Sequence, residues 1–170
     1  MQTPGEARKE RHHRKHVEVA GLMVIEGVIE EEVAWTWSHM RPEEKREAEE
    51  AGGGEDGHRK AALGAERTFA VYHGDALLAI AAVCTLPNGR KFLSMERTTN
   101  ALKPGHRFAW IRAYGSLGKW ICGEYPDGLW TVTPTDLPRA LDVYRHAGAE
   151  PTGETVTVGG REYWVLRLRG

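Results

Sequence analysis

Cysteine is almost missing from this chain: 170 residues carry two, Cys84 and Cys122. That argues against a disulfide framework, and both thiols fall in apolar stretches that read as buried in a reducing compartment. No apolar run reaches the ~20 residues that a membrane span needs. The charged N-terminal segment has no apolar stretch behind it, so it is not a signal peptide. Excess charge of either sign is lacking too. Lys and Arg number 23 and Asp and Glu 24, which leaves no global field to attract nucleic acid or membrane. Three enzyme templates are absent: there is no Cys-x-x-Cys pair, no Walker loop and no Gly-x-Ser-x-Gly elbow. These absences predict a soluble cytoplasmic protein.

What is present is enough chain for one domain with a real core. Residues 1–16 are polar and basic, with Arg8, Lys9, Arg11, His12, His13, Arg14, Lys15 and His16 close together. A solvated, flexible arm is predicted there, with a single domain over 17–170. Nucleic-acid contact through the arm, or a metal held by His12, His13 and His16, are the competing uses. Neither is supported by a recognised motif, so no metal site is assigned. Phenylalanine is scarce at three, whereas tryptophan reaches six. Trp35 falls off the Ile29–Val33–Trp37 stripe and is the tryptophan predicted to be exposed, where it would suit a protein contact.

The apolar pattern sets the element order. Val17 to Val24 reads as a first strand. From Gly27, residues Ile29, Val33, Trp37 and Met40 fall near a 3.6 period and predict a helix. Glu43 to Ala51 is a second, very polar helix, and residues 52–57 read as a flexible glycine-rich loop before a helical segment over His58 to Glu66. Thr68 to Tyr72, Ala76 to Cys84 and Lys91 to Thr98 read as an antiparallel meander, with turns at Gly74-Asp75 and Asn88-Gly89. Pro104 and Gly105 open a longer helix whose apolar face is Trp110, Tyr114, Leu117 and Ile121. A strand over Leu129 to Thr133 follows. A helix capped by Thr135 or Asp136 comes next, then a hairpin of Thr155–Val158 and Glu162–Leu168 about Gly159-Gly160.

The segment Arg139 to Gly148 places Ala140, Tyr144 and Gly148 four residues apart on that last helix. Val143 widens the stripe, and Gly148 is suited to end the helix in a left-handed cap. The pattern resembles the last helix of the GNAT superfamily of acyl-CoA N-acyltransferases, which often read Ala-x-x-x-Tyr-x-x-x-Gly-Phe here; Ala149 stands in place of the Phe. The element order is similar to that fold from end to end. The resemblance implies an α+β fold, with a mixed, mainly antiparallel sheet of about six or seven strands flanked by helices.

It also implies a site. Tyr144 would be a general acid, because a phenol suits protonating a thiolate leaving group. Glu96 would be the base that takes a proton from an amine. The family's glycine-rich phosphate loop corresponds to Thr98–Arg107, which has a single glycine and a proline that removes an amide donor. Thr98, Lys103, Gly105, His106 and Arg107 would form what remains of an acetyl-CoA site. The stretches Met40–Glu44, Phe69–Cys84, Phe92–Ser94, Phe108 onward and Leu129-Trp130 look like GNAT-like proteins of tailed bacteriophages, including internal virion proteins. That narrower likeness implies a phage or prophage gene, with a product in the bacterial host's cytoplasm or built into a virion. The expected partners are an amine substrate or a phage or host protein, with no membrane and no nucleic acid. Two functions follow: weak or altered acetyl transfer, or a catalytically inactive structural or binding module.

Overall fold

The computed structural model describes residues 14–170. Eight strands form one sheet in the order β1-β2-β3-β4-β5-β6-β8-β7. They are β1 (His16–Val19), β2 (Leu22–Glu26), β3 (Arg67–His73), β4 (Ala76–Thr85), β5 (Lys91–Arg97), β6 (Leu129–Pro134), β7 (Ala149–Val158) and β8 (Arg161–Leu168). The helices are α1 (Glu30–Ser38), α2 (Pro42–Gly52), α3 (Gly54–Leu63), α4 (Pro104–Cys122) and α5 (Pro138–His146). A turn of 3₁₀ helix, Thr99–Leu102, joins β5 to α4. All neighbouring strands are antiparallel except β5 and β6. The long α4 makes that parallel step possible, as a crossover must.

β4 explains the unbroken apolar run. It is central and buried on both faces. Leu78, Ala81 and Val83 join Phe69 and Val71 of β3 in a core completed by Trp110, Leu117 and Ile121 of α4. Leu77 and Ile80 join Ala70 and Tyr72 on the opposite face, against Val33 of α1 and Ala62 of α3. No helix of the described residues is long and apolar enough to cross a membrane.

The structure corrects several sequence expectations. Val17 to Val24 is two strands, not one, because Ala20-Gly21 turns the chain so that Val19 pairs with Leu22. The predicted loop over 52–57 already contains the first turn of α3. Neither Thr135 nor Asp136 caps α5. Leu137 occupies that position without a side-chain bond, and Asp136 pairs with Arg161 at 2.9 Å instead. Val143 points outward and is 56% exposed, so it does not widen the buried stripe. Gly148 does end α5 with φ at +91°, as its position suggested. Trp35 is half-buried and stacked on His39, with centroids 3.7 Å apart, whereas Trp120 is exposed. Residues 1–13 of the predicted arm, including His12 and His13, lie outside the described residues. Beyond them, Arg14 is bound to Glu32 and His16 opens β1.

Candidate active site at the splayed strands

β5 and β6 touch through a single bridge, Phe92 opposite Trp130. Beyond it, residues 93–97 of β5 have no pairing strand on the β6 side, and the two strands diverge. The gap leaves alternate backbone amides and carbonyls of β5 without a ladder, an edge suited to an extended chain bearing its own amides.

Strand parity assigns the side chains to two faces. Met95 lies opposite Ala81 and faces α4, whereas Glu96 lies opposite Ile80 and faces α1 and α3. On the α4 face, Leu93, Met95, Thr131, Tyr114 and Tyr144 line a small cavity of about 20 Å³. That is room for about one water. The Tyr114 and Tyr144 rings meet edge to face with centroids 6.1 Å apart, which brings the two phenols into interaction. Burial first, and Tyr144 second, push the Tyr114 hydroxyl well above the usual phenol range, with Arg97 opposing. Tyr114 therefore stays protonated and can donate to Tyr144.

Glu96 is on the other face. Its Oε2 lies 2.6 Å from Nδ1 of His58, which α3 delivers. The two proposed catalytic side chains thus flank the gap from opposite sides of the sheet and do not touch each other. Both can reach it because the bridge at Phe92 is the last one between these strands.

The residues expected to hold acetyl-CoA separate as well. Thr98 is withdrawn: it is 1% exposed, and its hydroxyl donates to the Leu77 carbonyl at 2.7 Å. Lys103, Gly105 and Arg107 lie exposed at the start of α4. A side chain added at Gly105 would meet nothing within 4 Å, so a ligand has room to approach. His106 is half-buried, with its Nδ1 2.8 Å from Nδ1 of His73. α4 has no side-chain cap and no acidic residue in its first turn. Lys103 and Arg107 therefore add cations to the positive end of a 19-residue helix, the reverse of the usual arrangement. An anion would relieve that. The phosphate cradle itself is reduced, because the His106 and Arg107 amides both donate to the Lys103 carbonyl at 2.9 Å.

The same architecture recurs among solved structures. An acetyltransferase of the GNAT family from Bacillus anthracis superposes with a TM-score of 0.60 over 91% of this chain and 98% of its own, at 9% identity. This chain has the GNAT fold. A spermidine N-acetyltransferase chimera of Vibrio cholerae SpeG and hSSAT matches with a TM-score of 0.60 at 10% identity, over 88% of this chain and 96% of its own. An aminoglycoside N(6')acetyltransferase from Legionella pneumophila matches at 0.58 and 13% identity, over 89% and 93%. No family model and no curated protein matches the sequence. At these identities the likeness is one of fold.

Tyr114, His58, His73 and Arg97 were not singled out from the sequence. Tyr114 sat in an apolar stripe and read as core. Arg97 follows Glu96 on β5, whereas His58 and His73 lie on α3 and β3 and only the tertiary fold brings them to the site. Among the described residues no group of three or more His, Cys, Asp or Glu side chains is placed to hold a metal.

Proposed function

We propose that this protein is an acyl-CoA-dependent N-acyltransferase with a reduced cofactor site, acting on an amine. The observation that carries this is the divergence of β5 and β6 from one bridge, with Tyr144 beside the gap on one face and Glu96 on the other. Lys103, Arg107 and the open backbone at Gly105 would hold the phosphates of acetyl-CoA by charge, with His106 beside them. The cofactor would supply the acyl group as a thioester. Tyr144 keeps a proton at its hydroxyl oxygen, and Tyr114, donating to that oxygen, stabilises it when the proton leaves. Glu96 accepts a proton from an ammonium group entering on the α1–α3 face, which leaves a neutral amine and a carboxylic acid.

A second reading has its own support. The donation of the His106 and Arg107 amides to Lys103, and a cavity of only about 20 Å³, favour a GNAT-fold module that binds a protein and catalyses nothing. The sequence likeness to phage proteins would place such a module in a virion or at a phage–host contact.

Calorimetric titration of acetyl-CoA separates the two. Micromolar binding is expected, weakened about tenfold by Arg107→Ala or Lys103→Ala through loss of one charge-assisted contact each. Tyr144→Phe should bind within about twofold of the parent, because the hydroxyl is assigned to proton transfer and not to affinity. No heat at millimolar cofactor would sink the acyltransferase reading and leave the binding module.

A further inference from the structure

We propose that His58 is a positioning residue for Glu96, pairing with its carboxylate so that Glu96 is held as the proton acceptor on the α1–α3 face of the gap. The catalytic part of this role rests on the acyl-transfer reading above; the pair itself rests on geometry.

The His58 side chain is 2% exposed. Its Nε2 lies 3.2 Å from the Val33 carbonyl oxygen, and its Nδ1 lies 2.6 Å from Glu96 Oε2. A carbonyl can only accept, so Nε2 carries hydrogen. Nδ1 then meets a carboxylate with no other donor between them. An imidazolium donates from Nε2 to the Val33 carbonyl and sets its positive charge 2.6 Å from the carboxylate, whereas a neutral ring would leave that carboxylate without a charged partner there. The oxygen lies off the ring N–H direction, so the contact is an ion pair and not an aligned hydrogen bond.

The surroundings favour the charged ring. Burial alone would lower its proton affinity, but Glu96, the Val33 carbonyl and Glu55 outweigh it and hold the imidazole above its ordinary 6.5. From α1, the Trp37 ring lies 5.5 Å away, and Glu30 is paired with Arg59 of α3. From α2, Lys45 sits over Trp37 at 5.8 Å from the ring centroid. From β4, the residue opposite Glu96 is the apolar Ile80. Glu55 of α3 is the remaining carboxylate near the ring.

Glu96 is itself partly open, with 36% of its side chain exposed. One oxygen is held by a ring that the core fixes, and the carboxylate keeps a single orientation at the edge of the gap. A substrate ammonium gives its proton to that carboxylate, and His58 retains its own. As pH rises through the imidazole's raised midpoint the ion pair is lost, and Glu96 loses the contact that orients it.

Two measurements test this on the full-length protein. The first is an NMR titration of the His58 ring in the parent and in Glu96→Gln. The midpoint should fall on removal of the carboxylate, by about threefold or more in proton affinity. An unchanged midpoint would falsify the pairing. The second is the pH profile of acetyl transfer to a panel of small primary amines, in the parent and in His58→Gln. The high-pH limb of the parent should track the His58 midpoint. His58→Gln should remove that limb and lower kcat about tenfold while acetyl-CoA affinity stays the same. A limb left in place in an active His58→Gln enzyme overturns the positioning role. If the parent binds no acetyl-CoA and turns over no amine, the acyl-transfer reading falls and the catalytic role falls with it. The NMR titration still decides the pair.

Discussion

Glu32→Ala is expected to cost about 3 to 5 kcal/mol of folding stability, as removal of one partner from a buried, hydrogen-bonded charge does. Glu32 is 5% exposed in the first turn of α1. Its Oε1 accepts from Arg14 at 2.7 Å and from the Tyr72 hydroxyl at 2.6 Å. Its Oε2 accepts from the Ile29 amide at 3.0 Å, which caps the helix start. One carboxylate therefore joins the chain ahead of β1, the helix α1 and the strand β3. Alanine would take this acceptor from the half-buried Arg14 guanidinium and from the buried Tyr72 hydroxyl, and desolvation adds to the cost of each lost bond. Glu32→Gln keeps the shape and one acceptor, so it should lose only about 1 to 2 kcal/mol. Urea unfolding of the three proteins at neutral pH checks the order. A loss below about 1 kcal/mol for the alanine variant would show that the network carries little energy.

The second large effect is at Gly128, in the turn from α4 to β6. Its φ is +83°, and an added Cβ would stand 2.4 Å from the Leu168 carbonyl oxygen. That oxygen belongs to β8, which pairs Leu168 with Leu129, so it cannot retreat without disturbing the ladder. Gly128→Ala therefore combines a left-handed backbone, at about 1 to 2 kcal/mol, with overpacking against the main chain, at about 1 to 3 kcal/mol. A total near 3 kcal/mol is expected, read as a drop in Tm of roughly 6 to 12 °C for a domain of this size. Gly21→Ala is the control: its φ is +85°, but nothing lies within 4 Å of the added atom. It should lose only the backbone share. Equal losses at the two positions would remove the steric part of the explanation.

How much of this was legible beforehand follows from the range of the interactions. The α4 stripe of Trp110, Leu117 and Ile121 was readable because each residue repeats the same local geometry within a few positions, and all three are buried. The Gly159-Gly160 turn was readable because a short hairpin is fixed by its own two residues. Gly148 ended α5 for the same kind of local reason.

The two faces of the site were not legible. Whether Glu96 meets Tyr144 or His58 depends on the register that sets Glu96 opposite Ile80, and a shift of one residue would reverse it. The sequence offered Thr98 as a ligand contact, yet β5 carries it into the core, where its hydroxyl bonds to Leu77. By itself the sequence determined most of the elements, their order and the resemblance to one fold, since these come from periodicity and turn chemistry along the chain. Only the tertiary structure decided which side chains share a face of the gap, because strand parity and the single Phe92–Trp130 bridge join residues far apart in sequence.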